Sequence, residues 1–497
     1  LHDKHGADLG RFLGERVEVL SGDVSLPNLG IDDAHLEHLR RNLDLVVQVA
    51  GLVDFSPDIR DSMSANVDGA VYAAELVESC DHAKLLHIST CYVTGDKDGL
   101  IEETIDAGVA PNGQPFNVWE QIEALKVEIA KLEAALETPE ADAEIHNKVI
   151  NRIRDRGLDE SNETLVRNMK HRERGQYLKN QMIDLGKDSA AKWGWSNTYT
   201  FTKSLAERVL AARNGSLKWA SFRPAIVESA MSYPIPGWNE GFNTCGPLVY
   251  MLEKWLHHLP SKGENPFDVI PVDMVCNAMF ITASELLLDC YKPVYHCGSS
   301  HHNQINFLRA TDLTSLGARR RLREHGENAL ERVVLSRWDS KPAPAGHLLS
   351  TKNMGRAAKG LGNLLRSLPA GLPSGIRKQA DKMADGADSA AKQFKQVHEV
   401  LELFKPFIHD NHYVFECDAL MEKQVEEEEF QFDPKAINWR DYWLNIHMPG
   451  MRRWCFPIIE GKQPESFQPE TPFKMQSPQS ITNPPVAQRA VGQGEGV

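Results

Sequence analysis

Near-continuous apolar runs alternate along most of the chain with segments of helical spacing. Leu43–Ala50 (LDLVVQVA), Lys84–Cys91 (KLLHISTC), Trp219–Val227 (WASFRPAIV) and Pro293–Cys297 predict strands. Their lack of apolar/polar alternation is the mark of parallel strands buried on both faces. Arg16–Val24 (RVEVLSGDV) predicts a further strand ending in a turn, and Val67–Cys80 has the period of a helix. Strands interleaved with helices predict an α/β fold with a Rossmann-like, mostly parallel sheet.

Residues 111–190 interrupt that rhythm. Val118, Ile122, Leu125, Ile129, Leu132 and Leu136 form a heptad-like stripe on a helix rich in Glu, Lys and Ala. Pro139 marks its end or the start of the next helix, and the charged stretch to Lys187 is also helical, so a helical hairpin or cap is predicted. Its basic residues, including Arg152, Arg154, Lys170 and Arg174, are read as a solvated face paired with neighbouring acids. From Asn303 the chain is mainly helical. Thr351–Phe394 predicts two amphipathic helices broken at Pro369 and Pro373, packed on the α/β core, with a membrane surface or the lining of an acyl tunnel as the other readings. Glu426–Glu429 reads as an acidic loop, and after Lys462 a Pro-, Gln- and Ser-rich stretch predicts a disordered tail. The expected organisation is therefore 1–110 and 191–300 as two parts of the Rossmann core, 111–190 as the insert, 301–462 as a helical C-terminal region and 463–497 as the tail.

Composition narrows the function classes. The 497 residues carry 55 Lys and Arg against 69 Asp and Glu, a net charge of −14, which disfavours a nucleic-acid partner. No run of 18 apolar residues predicts a membrane-spanning helix. The eight cysteines contain no CxxC pair, and the His-x-x-His and His-His occurrences come without a carboxylate-bearing metal motif. No metal site is therefore expected, and the thiols suit a reducing cytoplasm.

The chemistry concentrates at Tyr199-Thr-Phe-Thr-Lys203. Tyr and Lys four apart share a helix face, and an ammonium beside a phenol is expected to lower its pKa. Such a phenol can exchange a proton with a carbonyl oxygen. Ser89 and Thr90, at the end of a predicted strand, can donate to the same oxygen, with Thr90 favoured. Cys91 lies beside them without an activating base and reads as a core residue.

These parts together resemble the extended short-chain dehydrogenase/reductase superfamily. Gly22-Asp23-Val24 resembles its adenine-contacting segment, Ala50-Gly51 the small residues that admit the cofactor, Asn66-x-x-Gly69 its helix-borne Asn, and Arg223-Pro224-x-Ile226 the segment beside the nicotinamide. More narrowly, His87–Gly95, Gly194–Lys203, Phe222–Ser229, Pro236-Gly-Trp238, Asp268–Asp273, His412–Cys417 and Ile437–Trp443 resemble the bacterial fatty acyl-CoA reductases with a male-sterility-type, alcohol-forming reductase domain. The likeness spans about residues 16–455. It departs from the family at the Gly-rich turn that holds the cofactor pyrophosphate. Gly6, Gly10 and Gly14 follow no strand and read as the end of a helix, so the expectation is a chain truncated ahead of its first family strand.

The resemblance implies NADPH as cofactor and a long-chain acyl-CoA as substrate. Tyr199 with Thr90 or Ser89 would hold the developing oxyanion, while Lys203 would bind the nicotinamide ribose and keep Tyr199 acidic. Asp23, Val24, Ala50, Gly51, Pro224 and Ile226 would line the cofactor. Reduction to aldehyde, and then to primary alcohol, is implied. Tyr233–Trp238 would line the substrate entrance, while Asp268 and Asp273 are read as structural. The alternatives are an aldehyde-releasing thioester reductase, a sugar-nucleotide epimerase or dehydratase, and an inactive binding fragment.

Overall fold

The computed structural model describes residues 9–464, apart from 214, 216, 242–244, 255–257, scattered positions between 327 and 349, 368–373 and several between 424 and 429. The breaks expected at Pro369 and Pro373, most of the acidic loop and nearly all of the expected tail lie outside the described residues. The strands are β1 (Leu45–Gln48), β2 (Lys84–Ile88), β3 (Gly99–Ile101), β4 (Trp219–Pro224), β5 (Ile226–Glu228), β6 (His258–Pro260), β7 (Val269–Pro271), β8 (Val294–Cys297), β9 (Lys341–Ala343) and β10 (Tyr413–Phe415).

Four of them form one parallel sheet in the order β1-β2-β4-β8. Leu45 stands opposite Lys84, Leu85 opposite Trp219, and Ser221 opposite Val294. The apolar runs read from the sequence supply these strands. β2, β4 and β8 are almost wholly buried, as parallel strands covered on both faces should be. β1 is an edge strand of the described sheet, and Val47 on it is 41% exposed. There are three further short parallel pairs: β5 with β7 within the core, and β3 with β10 and β6 with β9, which join it to the C-terminal region.

Arg16–Val24 is not a strand. Helix Leu9–Arg16 carries Gly10 and Gly14, in keeping with the helix end read there, and the chain beyond it is irregular. Val17 and Val19 are exposed, and the Asp23 N–H bonds the Leu29 carbonyl in a turn (2.7 Å). Its apolar alternation had suggested a strand, but extended backbone needs a ladder partner, and this segment has none among the described residues.

The insert, read as a helical hairpin or cap, contains three helices: Val118–Ala135, Pro139–Asp155 and the 31-residue Glu163–Trp193. Pro139 opens the second, where its missing N–H costs nothing. The stripe on the first helix buries Val118, Ile122 and Leu125 against Met182, Trp195 and Phe201, Leu205 and Val209 of helix Thr198–Ala211. The insert therefore packs on the helix that carries the Tyr–Lys pair. Its basic residues pair with acids: Arg152 with Glu173, Lys170 with Asp142, Arg154 with Glu160 and Arg174 with Glu137. Thr351–Arg366 and Ser374–Lys405 form the expected amphipathic helices, and no described helix is long and apolar enough to cross a membrane.

Candidate active site

Helix Thr198–Ala211 starts at Asn197, whose side chain accepts the Thr200 N–H at 2.9 Å. This cap places Tyr199 and Lys203 in the first two turns, against the carboxyl ends of β1 and β2. The Lys203 ammonium donates to the Ile88 carbonyl at 2.6 Å. A Cβ built on Gly51 would lie 3.7 Å from Lys203 Nζ and 2.8 Å from Asn66 Oδ1, so only glycine fits there without a shift. Asn66 accepts the Leu52 N–H at 2.8 Å and donates to Thr202 Oγ1 at 3.0 Å. It thereby ties the Ala50-Gly51 loop to the Tyr–Lys helix.

Thr90 is buried and caps the Cys91–Thr94 turn, with only a long 3.4 Å contact to the Pro224 carbonyl. Ser89 is also buried, and its Oγ has no hydrogen-bond partner among the described residues. Gly51, Asn66, Thr90, Lys203 and Pro224 are thus linked through the ends of β1, β2 and β4. Asp23 sits in an exposed turn accepting from Ser25, and Val24 packs on Gly69 at the start of helix Gly69–Glu78. Ile226 begins β5 opposite Val269. These contacts of Asp23, Val24 and Ile226 do not lead to Lys203.

Burial dominates the protonation of both Tyr199 and Lys203. Burial raises the Tyr199 phenol to about 12, and burial lowers Lys203 to about 8. Desolvation disfavours the charged form of each, and the Lys203 ammonium donates to the Ile88 carbonyl. Cys91 is inert by the same logic: it is buried, burial pushes its pKa far up, and its thiol donates to the Arg223 carbonyl at 2.9 Å.

Sequence reasoning missed the ion pair beneath this site. Glu207 and Arg223 are buried and bidentate, with Nε–Oε1 at 2.9 Å and Nη2–Oε2 at 2.5 Å. Ser221 donates to Glu207 at 2.8 Å, and Arg223 also reaches the Thr104 carbonyl (3.0 Å) and His296 Nε2 (3.2 Å). The Lys203–Glu207 spacing on a helix was the available signal, but it reads as easily as a surface pair. An aromatic group was also missed: Phe55 lies 6.3 Å from the Tyr199 ring and 5.5 Å from Phe407, which packs on Tyr92 at 4.9 Å.

Asp273 does more than end a strand. Its carboxylate accepts three successive backbone N–H groups, from Met231 (2.9 Å), Ser232 (2.7 Å) and Tyr233 (3.1 Å). Asp268 similarly accepts from the Ser299 N–H at 2.7 Å and the Ser300 N–H at 3.2 Å. Hydrogen bonds to a charged acceptor are worth about 1.5–3 kcal/mol. Asp273→Ala should therefore speed amide exchange at residues 231–233 by roughly ten- to a hundredfold, with exchange in β2 unchanged. Hydrogen-exchange mass spectrometry checks this.

A parallel sheet whose strand ends converge on a Tyr-x-x-x-Lys helix defines a dinucleotide-fold oxidoreductase. The sequence profile of the Male sterility protein family matches residues 3–279. The chain belongs to that family. Among its relatives, "Probable fatty acyl-CoA reductase 5" of Arabidopsis thaliana is 28% identical, covering 89% of this chain and 83% of the relative. "Alcohol-forming fatty acyl-CoA reductase" of Simmondsia chinensis is 27% identical, covering 90% of this chain and 83% of the relative. Among solved structures, the terminal R domain from the myxalamid PKS-NRPS biosynthetic pathway is 14% identical with a TM-score of 0.44, covering 89% of this chain and 76% of that one.

Proposed function

We propose that the chain is a fatty acyl-CoA reductase, an oxidoreductase that uses a nicotinamide cofactor to reduce a long-chain acyl-CoA thioester. The observation that carries this reading is the placement of Tyr199, Lys203 and Thr90 around the ends of β1, β2 and β4 in a chain of this family. The arrangement fits the nicotinamide-ribose end of the cofactor: glycine at position 51 leaves the approach open, and Lys203 and Asn66 present polar atoms beside it. No residue is assigned to the pyrophosphate, because no Gly-rich strand-to-helix turn precedes β1 among the described residues. We favour NADPH over NADH on family likeness. When bound, the cofactor supplies the hydride.

The chain's own groups handle the proton. Near neutral pH Tyr199 is a protonated phenol, the form needed to donate to a carbonyl oxygen during reduction. Thr90, favoured by family likeness, or Ser89, whose Oγ has no other hydrogen-bond partner among the described residues, is the second donor to that oxygen. Phe55, Tyr92 and Phe407 supply an apolar wall beside Tyr199, suited to an acyl chain. Product aldehyde meets the same donors, so reduction to the primary alcohol needs no second site.

Feeding purified protein a long-chain acyl-CoA with excess NADPH tests the reading, with free CoA and fatty alcohol as expected products. Turnover of a nucleotide-sugar instead would replace it with the epimerase reading. The pH profile carries a second prediction. Lys203 is charged only below about 8, so kcat/KM should fall above that pH. Lys203→Arg, whose guanidinium stays charged, should lose activity at neutral pH yet show no break near 8.

A further inference from the structure

Glu228 at the end of β5, Cys245 ahead of helix Gly246–Lys254, and His447 in the C-terminal Tyr442–His447 turn come together in the interior. One donor atom from each lies within 4.8 Å of the others, and all three residues are buried. Glu228 and Cys245 are 17 positions apart and Cys245 and His447 are 202 apart, so no local motif announces the group. We propose that these three side chains bind a divalent metal ion of the zinc type.

The donor set is carboxylate, thiolate and imidazole, the ligands zinc takes. Cys245 Sγ lies 3.8 Å from His447 Nε2. Bonds of about 2.3 Å to sulfur and about 2.0 Å to nitrogen, at tetrahedral angles, put those atoms about 3.5 Å apart. A shift of a few tenths of an ångström would bring these two atoms to ligand spacing, while Glu228 Oε2, now 3.9 Å from Nδ1, would have to move towards the Nε2 side. The imidazole already turns Nε2 to the thiol. Ser229 Oγ holds the other ring nitrogen, Nδ1, at 3.0 Å, which leaves Nε2 facing the sulfur. Such an outer partner is the usual companion of a metal-bound histidine. Ser229 is fixed in turn by Tyr442, whose hydroxyl donates to the Ser229 carbonyl at 2.7 Å. The Cys245 N–H donates to Glu228 Oε1 at 3.0 Å, fixing the carboxylate beside the thiol.

Complete burial argues for a structural ion and against a cysteine nucleophile, because substrate has no route to side chains this deeply buried. The ion would clamp the C-terminal region onto the β5 end of the core. The loop through Gly237 already packs there so closely that a Cβ on Gly237 would meet the Ile446 carbonyl at 2.6 Å.

The test uses the full chain. Metal analysis after gel filtration should find about one zinc per chain. Cobalt(II) exchanged into the site should give tetrahedral visible bands and a near-ultraviolet thiolate-to-cobalt band. Cys245→Ser should remove the thiolate band, although seven other cysteines remain. Chelation of the wild type should lower its Tm, and zinc should restore it, which needs no variant to fold. Metal-free protein that takes up no cobalt, or a thiolate band that survives Cys245→Ser, would overturn the proposal in favour of a hydrogen-bonded trio. The readouts do not depend on reductase activity, so either reading can fail alone.

Discussion

Tyr199→Phe should reduce acyl-CoA-dependent NADPH oxidation by roughly 10²–10⁴-fold, the range of a lost general acid. The loss should fall on kcat, because the phenyl ring keeps its place against Phe55 and only the proton donor is removed. Tm should change little, because none of the hydrogen bonds that organise the site runs through the Tyr199 hydroxyl. Thr90→Val should cost less, about 10-fold to 10³-fold, because one of two donors to the oxygen remains. Steady-state kinetics on the two variants with a single acyl-CoA decides the matter. Wild-type kcat in the Tyr199→Phe enzyme would remove Tyr199 from the chemistry and, with it, the role proposed for Lys203.

The state of that tyrosine shows where reading a sequence stops. Spacing alone put Tyr199 and Lys203 on one face and predicted an acidified phenol. Spacing could not show that Lys203 Nζ is held by the Ile88 carbonyl, or that burial moves the two pKa values in opposite directions. For a reductase the outcome is favourable, since a donor must start protonated. The sheet was legible because Leu43–Ala50, Lys84–Cys91, Trp219–Val227 and Pro293–Cys297 are apolar beyond what a half-exposed strand requires. Arg16–Val24 also carried a local signal, but strand pairing is not a local property, and Val17 and Val19 face solvent. β3 and β10 pair across more than 300 positions, through three residues each, too short for any periodicity to register. Glu207, Arg223 and the Glu228–Cys245–His447 group were invisible for the same reason: each is ordinary in its own segment and acquires meaning only through distant partners.

Glu207→Gln should destabilise the fold by about 3–5 kcal/mol, the cost of leaving one partner of a buried pair uncompensated. Burial opposes the Glu207 charge, yet Arg223 holds its pKa down at about 2, against an ordinary 4.5. That difference corresponds to about 3 kcal/mol, which agrees with the range from pair breaking. The sign follows from linkage. A carboxylate with a depressed folded pKa contributes its stability above the unfolded value, and loses it as pH falls from about 4.5 towards 2. Wild type should therefore lose this increment across that window, and the Gln variant, having no charge to neutralise, should not. Neutral glutamine can still accept from Arg223, but the guanidinium would keep its charge in a buried setting with only the Thr104 carbonyl and His296 beside it. Removing both charges should be milder: Glu207→Leu with Arg223→Met replaces the pair by apolar volume, and should recover part of the loss. Urea unfolding of the single and double variants at pH 7, repeated for wild type and the Gln variant at pH 3, measures each term. The stability matters for the chemistry because the pair joins helix Thr198–Ala211 to β4, one turn below Lys203. Loosening it should raise the mobility of Lys203 before the sheet itself gives way.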